Sequence, residues 1–391
     1  MPPNNCAPDT VETTATKMPE AGFQPDSKPV RKSRKRFGAW LGIAFLLFSS
    51  CTLDKHPWAV DGSSSESGLQ GMDSEMLAMA CSQAQTIGSI KSLLVDRNGV
   101  LVVERYYHNH GPDSLLDIRS VTKSVVSLLV GIAIDKGIIQ DANRTLGDFL
   151  RPLAEDWSLT VEPEKWKIAL RDLLTMSSGF QWPAFGDWSE YNLWTRAPDQ
   201  IGYVLAKPLI HPPGQVFTYN DGACHLLSVV VSIATGMRTQ AFAEQVLFEP
   251  LGIGPRPWAV DNRGYAKGCV ALKLTSRDMW KLGRMVLQNG SFNGKRIVSP
   301  EWIRASTRSQ IRTGLDIPYG SDYGFLWWIS RVRSKDVFYA NGHGGQFIVA
   351  VPESNLVVVA TNDWQSAGSR ADQNWYDTIS LIMNQILPAV R

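Results

Sequence analysis

No G-x-S-x-G elbow, phosphate-binding glycine loop or dinucleotide fingerprint occurs in the 391 residues, which removes the α/β-hydrolase and nucleotide-enzyme readings. An excess of one charge is also missing. With 39 Lys and Arg against 37 Asp and Glu, the formal net charge is +2, which gives no reason to propose nucleic acid as a partner. Cysteine is sparse. Beyond Cys51 there remain Cys81, Cys224 and Cys269; three cannot all pair, and their spacings match no zinc site or redox pair. They read as buried small hydrophobes with at most one disulfide. No internal repeat is evident. What is present, 44% hydrophobic and 19% charged residues, describes a globular chain with a sizeable core, in one large domain or two interleaved ones.

Basic residues gather at Arg31-Lys32-Ser33-Arg34-Lys35-Arg36, and a twelve-residue apolar run from Phe37 ends at Phe48-Ser49-Ser50-Cys51. This order reads as a secretory signal within residues 1–50, its run too short to span a bilayer comfortably. Cys51 suits lipid attachment; an uncleaved N-terminal anchor is the alternative. Both place the remainder outside the cytoplasm, periplasmic or on an outer membrane face. Met18 is a candidate start, which N-terminal sequencing of a cleavage-blocked precursor would settle. The stretch 61–68 is a flexible tether within a linker over 51–70, and residues 71–391 form the folded domain.

Met72 to Gln85 has helical spacing. Ser92 to Tyr107 reads as a hairpin turning at Arg97-Asn98-Gly99. Pro-, Gly- and Trp-rich sequence then predicts an inserted, mainly helical subdomain at about 138–268. A helix follows at Ser276 to Gln288. Strand signals return at Gly324-Phe325-Leu326-Trp327-Trp328-Ile329, Val337 to Tyr339, Phe347 to Val351 and Leu356 to Ala360, with a last helix from Asp372 to Ile386. The fold class is therefore α/β (α+β): an antiparallel sheet of about five strands flanked by helices.

Ser120-Val121-Thr122-Lys123 precedes a run of Val, Leu, Ile and Gly, long and apolar enough for a buried helix. Helical spacing puts the Lys123 amine within reach of the Ser120 hydroxyl. Free N–H groups and the positive end of the dipole at a helix start suit an oxyanion. The alternative is a capping serine beside a solvated lysine, but burial of this turn argues against an unpaired ammonium. Two further stretches carry chemistry: Tyr219-Asn220-Asp221 before the apolar helix Ala223 to Thr235, and His343-Gly344-Gly345-Gln346, where glycines permit close approach at the head of a strand. His108-Asn109-His110-Gly111-Pro112-Asp113 departs from zinc-hydrolase spacing, and no metal site is read there.

Ser120-x-x-Lys123, Tyr219-x-Asp221 and His343-Gly344-Gly345, in that order, resemble the three-motif signature of serine β-lactamases and penicillin-binding proteins. The nearest likeness is to the class C-like branch of esterases, D-amino-acid peptidases and 6-aminohexanoate-dimer hydrolases. The stretches Leu170 to Gly179 and Tyr323 to Trp328 look like that family too, and the resemblance covers roughly residues 90 to 388. Glu162-Pro163-Glu164 resembles part of a class A deacylation loop, but the expected Asn is missing.

The resemblance implies a β-lactamase/transpeptidase-like fold and an acyl-enzyme at Ser120, with Lys123 and Tyr219 sharing its activation. It implies an oxyanion hole from the Ser120 and Gln346 backbone N–H groups, and substrate contacts from His343, Gly344, Gly345 and Asp221. Trp182, Trp188, Tyr191 and Trp194 either wall the pocket or pack the helical subdomain. No cofactor or metal is implied, and the chain is expected to act as a monomer on an ester, an amide, a D-alanyl peptide, a 6-aminohexanoate oligomer or a β-lactam. A neutral Lys123 base would need its pKa lowered by ~3 units, about 4 kcal/mol. Asp221, where the family often has Asn, favours a charged lysine and so tilts the base role to Tyr219. His343, where β-lactamases have Lys, is charged only about a quarter of the time at pH 7, which weakens any dependence on a substrate carboxylate. The rival reading is a penicillin-binding or peptidoglycan-sensing lipoprotein without turnover.

Overall fold

The structure, a computed structural model, describes residues 69–391; the expected signal segment, the Cys51 anchor and the tether lie outside them. The chain runs α1 (Ser74–Thr86), β1 (Ile90–Arg97), β2 (Val100–Tyr106), β3 (Leu116–Asp117), α2 (Val121–Asp135), α3 (Leu146–Leu150), α4 (Leu170–Leu174), α5 (Ser189–Arg196), α6 (Gln200–Leu205), α7 (Asp221–Thr235) and α8 (Thr239–Ala243). It continues through β4 (Lys273–Leu274), α9 (Ser276–Leu287), β5 (Ser291–Phe292), β6 (Lys295–Arg296), α10 (Pro300–Ser306), β7 (Ile311–Arg312), β8 (Asp322–Tyr323), β9 (Trp328–Val332), β10 (Lys335–Gly342), β11 (Gln346–Val351), β12 (Leu356–Asn362), α11 (Trp364–Ala367) and α12 (Ala371–Leu381).

Asn98 and Gly99 both take positive φ, 56° and 87°, the conformation that lets two residues join twisted strands; β1 and β2 form the predicted hairpin. The main sheet has the order β2-β1-β12-β11-β10-β9-β8-β7. Its strands pair antiparallel, and β12 sits between β1 and β11. Every residue of β11 and β12 is buried. Because side chains alternate across a strand, both faces must be covered. Ile348 and Val357 meet Gly283 of α9, where a Cβ would lie 2.6 and 2.8 Å from them, whereas Phe347 and Asn362 reach Trp375 and Thr378 of α12. Helices α9 and α12 therefore lie on opposite faces.

The sheet has eight strands where about five were expected. The additions β7 and β8 are two residues each, too short to leave a periodic signal. The expected strand at Gly324 to Ile329 begins only at Trp328. Leu326 has φ +61°, Phe325 N bonds Ser306 O, and Leu326 N bonds Leu174 O. This apolar stretch is buried among helices rather than paired in the ladder, so its hydrophobicity comes without alternation. Between α2 and β4 the chain is helices and loops, and α7 stops at Gly236 with φ +66°, an αL terminus. Cys81, Cys224 and Cys269 are free thiols.

Candidate active site

Ser120 stands at the start of α2. Leu116 pairs with Leu274, Ile118 N donates to Leu272 O at 3.0 Å, and Arg119 N donates to Asp117 Oδ1 at 2.8 Å. These bonds hold Arg119 at φ +51°, a conformation uncommon outside glycine. The chain turns sharply there and the helix starts at Val121. The Arg119 guanidinium lies over the Trp364 ring at 4.1 Å and donates to Tyr191 Oη at 3.2 Å. Gly342 of β10 crosses directly against this turn: a Cβ there would lie 2.5 Å from Ile118 O.

Lys123 is 1% exposed. Its Nζ donates to Asp221 Oδ1 at 2.7 Å, Ser120 Oγ at 2.8 Å and Cys269 O at 3.1 Å, which engages all three ammonium protons. Burial by itself would favour the neutral amine, but the Asp221 carboxylate outweighs it and holds the pKa well above the ordinary lysine value. The lysine is charged at neutral pH, as the aspartate in the second motif led us to expect.

Tyr219 is carried on a stretch clamped to the loop after α4. Thr218 N donates to Met176 O at 2.6 Å and Gly214 N to Ser177 O at 2.7 Å. A Cβ at Gly179 would lie 2.2 Å from His211 O, so only glycine permits this approach. Asn220 Oδ1 caps α7 through Ala223 N at 2.8 Å, which fixes Tyr219 just outside the helix and Asp221 in its first turn. The Tyr219 ring stacks on Trp328 at 5.7 Å and meets the Phe185 edge at 5.3 Å. Lys123 Nζ lies 4.8 Å from its centroid. Burial raises the Tyr219 pKa, and the Lys123 charge opposes this without reversing it; the phenol keeps its proton at neutral pH.

These groups open onto a cavity of about 300 Å³ walled by Trp182, Phe185, Trp188, Trp375 and Tyr376, with Asn341 and His343 on the β10 side. The His343 ring meets the Trp188 edge at 4.7 Å. Burial, then the Arg119 charge, lowers its pKa, while Asp372 opposes this. His343 is thus mostly neutral at pH 7, and its cation gains only as the pH falls below 6.5. An ester bearing a carboxylate should therefore lose KM relative to its neutral analogue between pH 7 and 5, with no such divergence between pH 7 and 8. Parallel KM profiles for the two esters down to pH 5 would exclude contact between His343 and the substrate.

Ser120, Lys123 and Tyr219 come together as the sequence suggested, and Trp182, Trp188 and His343 join them at the cavity. The remaining residues have protein partners of their own. Asp221 lines the cavity, is 4% exposed, and its carboxylate is engaged by Lys123. Gly344 and Gly345 admit Trp364 and Asn362, whose atoms would lie 2.6 Å from a Cβ at each position; their missing side chains make room for protein. Trp194 is buried in the helical region, bonded to Gln200 O, and Tyr191 lies behind Trp188 beside Arg119. The Gln346 carboxamide is locked against the Asn362 backbone at 2.6 and 3.1 Å, which ties the start of β11 to the end of β12. His108 and His110 lie in the turn after β2.

Sequence reasoning did not find Phe185, Asn341, Trp375, Tyr376 or the Cys269 carbonyl. A backbone carbonyl has no residue signature, and Trp375 and Tyr376 read only as one face of a terminal helix.

The family model for Beta-lactamase matches residues 91–381. The 6-aminohexanoate-dimer hydrolase of Paenarthrobacter ureafaciens is 24% identical over 323 residues, covering 76% of this chain and 79% of that protein. Among solved structures, the octameric penicillin-binding protein homologue from Pyrococcus abyssi superposes with a TM-score of 0.60 at 17% identity, covering 80% of this chain and 77% of that one. EstCE1, a hydrolase with promiscuous acyltransferase activity, gives 0.61 at 15% identity, covering 78% and 98%. At these identities the structural likeness shows the fold alone, a β-lactamase/transpeptidase-like one.

Proposed function

From the premise that this chain belongs to the beta-lactamase family and is a serine hydrolase of it, we propose that it cleaves an ester or amide with a compact apolar substituent through an acyl-enzyme at Ser120. The observation that carries this is the engaged Lys123 ammonium, 2.8 Å from Ser120 Oγ beside the Tyr219 phenol, at the mouth of an aromatic cavity. The relative that hydrolyses 6-aminohexanoate dimer supports amides within this class.

With both Lys123 and Tyr219 protonated at rest, neither is a free base. The proton path we propose is a relay. Ser120 Oγ bonds to the substrate carbonyl carbon and passes its proton to Tyr219 Oη as the phenol proton moves to the leaving oxygen or nitrogen, whose bond to the acyl carbon breaks. No phenolate need accumulate. Lys123 remains a fixed cation that stabilises negative charge on Oγ and Oη, and the Ser120 and Gln346 backbone N–H groups receive the carbonyl oxyanion. Water then releases the acyl group by the reverse relay.

The leader adds export to the proposal, on the basic run, the apolar run and Cys51 alone. Mixing the protein with a short-chain nitrophenyl ester should give a burst of nitrophenol equal to the enzyme, then steady turnover, with a transient acyl mass on the peptide holding Ser120. An acyl group that persists would make the protein a binder, and one mapped to another residue would overturn the assignment of the nucleophile.

A further inference from the structure

Lys123 has three protons to place, and one acceptor is a backbone carbonyl, Cys269 O at 3.1 Å. That carbonyl ends a loop, residues 261–269, tied to α7 by side chains the acyl-transfer step does not use. Asp221 and His225 lie one turn apart on α7, so the helix that presents the carboxylate to Lys123 also presents an imidazole to this loop. His225 is wholly buried. Its Nδ1 accepts from Gly268 N at 3.2 Å, and its Nε2 lies 2.9 Å from Asp261 Oδ2. An acceptor at Nδ1 fixes the neutral tautomer with hydrogen on Nε2, donating to the carboxylate.

Asp261 in turn holds the start of the loop: Oδ1 accepts from Arg263 N and Tyr265 N, each at 2.9 Å. Burial would raise its pKa, but the His225 hydrogen bond and the backbone donors outweigh burial and keep it below the ordinary aspartate value. Ser228 Oγ donates to Ala266 O at 2.7 Å. Gly268 is pressed so closely to the helix that a Cβ would sit 2.8 Å from Ser228 Cβ and 2.9 Å from Cys224 O.

We infer that the buried His225–Asp261 pair is a positioning device for the Lys123 ammonium, acting through Gly268 and the Cys269 carbonyl to aim the remaining N–H at Ser120. The inference rests on the hydrolase reading for its catalytic meaning, but the geometry of Lys123 is measurable without any substrate. An ammonium with three fixed acceptors exchanges its protons slowly. Asp261→Asn puts an amide donor against the Nε2–H of His225. The imidazole must then either break from residue 261 or move its proton to Nδ1, where it opposes Gly268 N–H. Either outcome releases the loop and with it the Cys269 carbonyl.

The test uses the full chain labelled with ¹⁵N-lysine, read by NMR, together with ester kinetics normalised to sites titrated by a fluorophosphonate. Wild type should show a slowly exchanging Lys123 ammonium signal. In Asp261→Asn that signal should be lost or broadened, and kcat per titrated site should fall about tenfold with KM within twofold. A purely structural role would lower the number of titratable sites and leave kcat per site alone. If Asp261→Asn does not fold, Ser228→Ala removes one loop tether only, and a several-fold faster ammonium exchange is expected there. An unchanged Lys123 signal in whichever variant folds overturns the inference, even if the ester is never cleaved; absent turnover in wild type overturns the hydrolase reading instead.

Discussion

Lys123→Met is expected to remove ester turnover by on the order of 10³-fold and to cost the fold about 3–5 kcal/mol. Both effects come from one contact. Lys123 and Asp221 are 1% and 4% exposed and 2.7 Å apart, so deleting the ammonium strands a carboxylate where water cannot solvate it. Removing one partner of such a pair costs far more than removing both. The double variant Lys123→Met with Asp221→Leu should regain most of the lost stability, read as a denaturant midpoint, while turnover stays at the single variant's level. Turnover recovering together with stability would show that the lysine is only a structural ion and would sink the proposed role.

The sign of the pH dependence follows from the same pair. The Lys123 pKa is raised on folding, so its contribution to stability is complete below the unfolded lysine value near 10.4 and declines only as the pH rises above it. Between pH 5 and 9 that contribution is flat.

Tyr219→Phe should lower kcat by about 10²- to 10⁴-fold, the usual range for losing a positioned proton carrier, with KM little changed. The ring remains to stack on Trp328 and to meet Phe185, so the variant should unfold within about 1 kcal/mol of wild type. The burst experiment then shows where the loss falls: slow acylation removes the burst. A variant that keeps a tenth or more of the wild-type burst rate would exclude the phenol from the proton path and leave only Lys123 and water to carry it.

The candidate cluster at Ser120 was legible because its parts are side chains of distinctive chemistry at local spacings. Ser120 and Lys123 are a helical turn apart; Tyr219 announces itself by the capped helix that follows, and His343 by the glycines around it. Asp221 was legible as a charge near Lys123, although sequence gives proximity to a motif and not which neighbour takes the lone pairs. The sheet was legible where strands are long. It failed at β7 and β8, and at Gly324 to Trp327, where burial on every side erases the alternation that identifies a strand. The aromatic wall was half legible: Trp182 and Trp188 stand out in a Trp-rich stretch, whereas Trp375 and Tyr376 reach the site only because α12 returns across the sheet.

That return has a consequence for biogenesis. Because β12 lies between β1 and β11, the second strand of the platform, made early, finds its inner neighbour only after residues 356–362 leave the ribosome. Leu94 must wait for Val359, a contact across most of the polypeptide, and such distant pairings form slowly. A nascent chain is therefore left with an unfinished platform until β12 has been made.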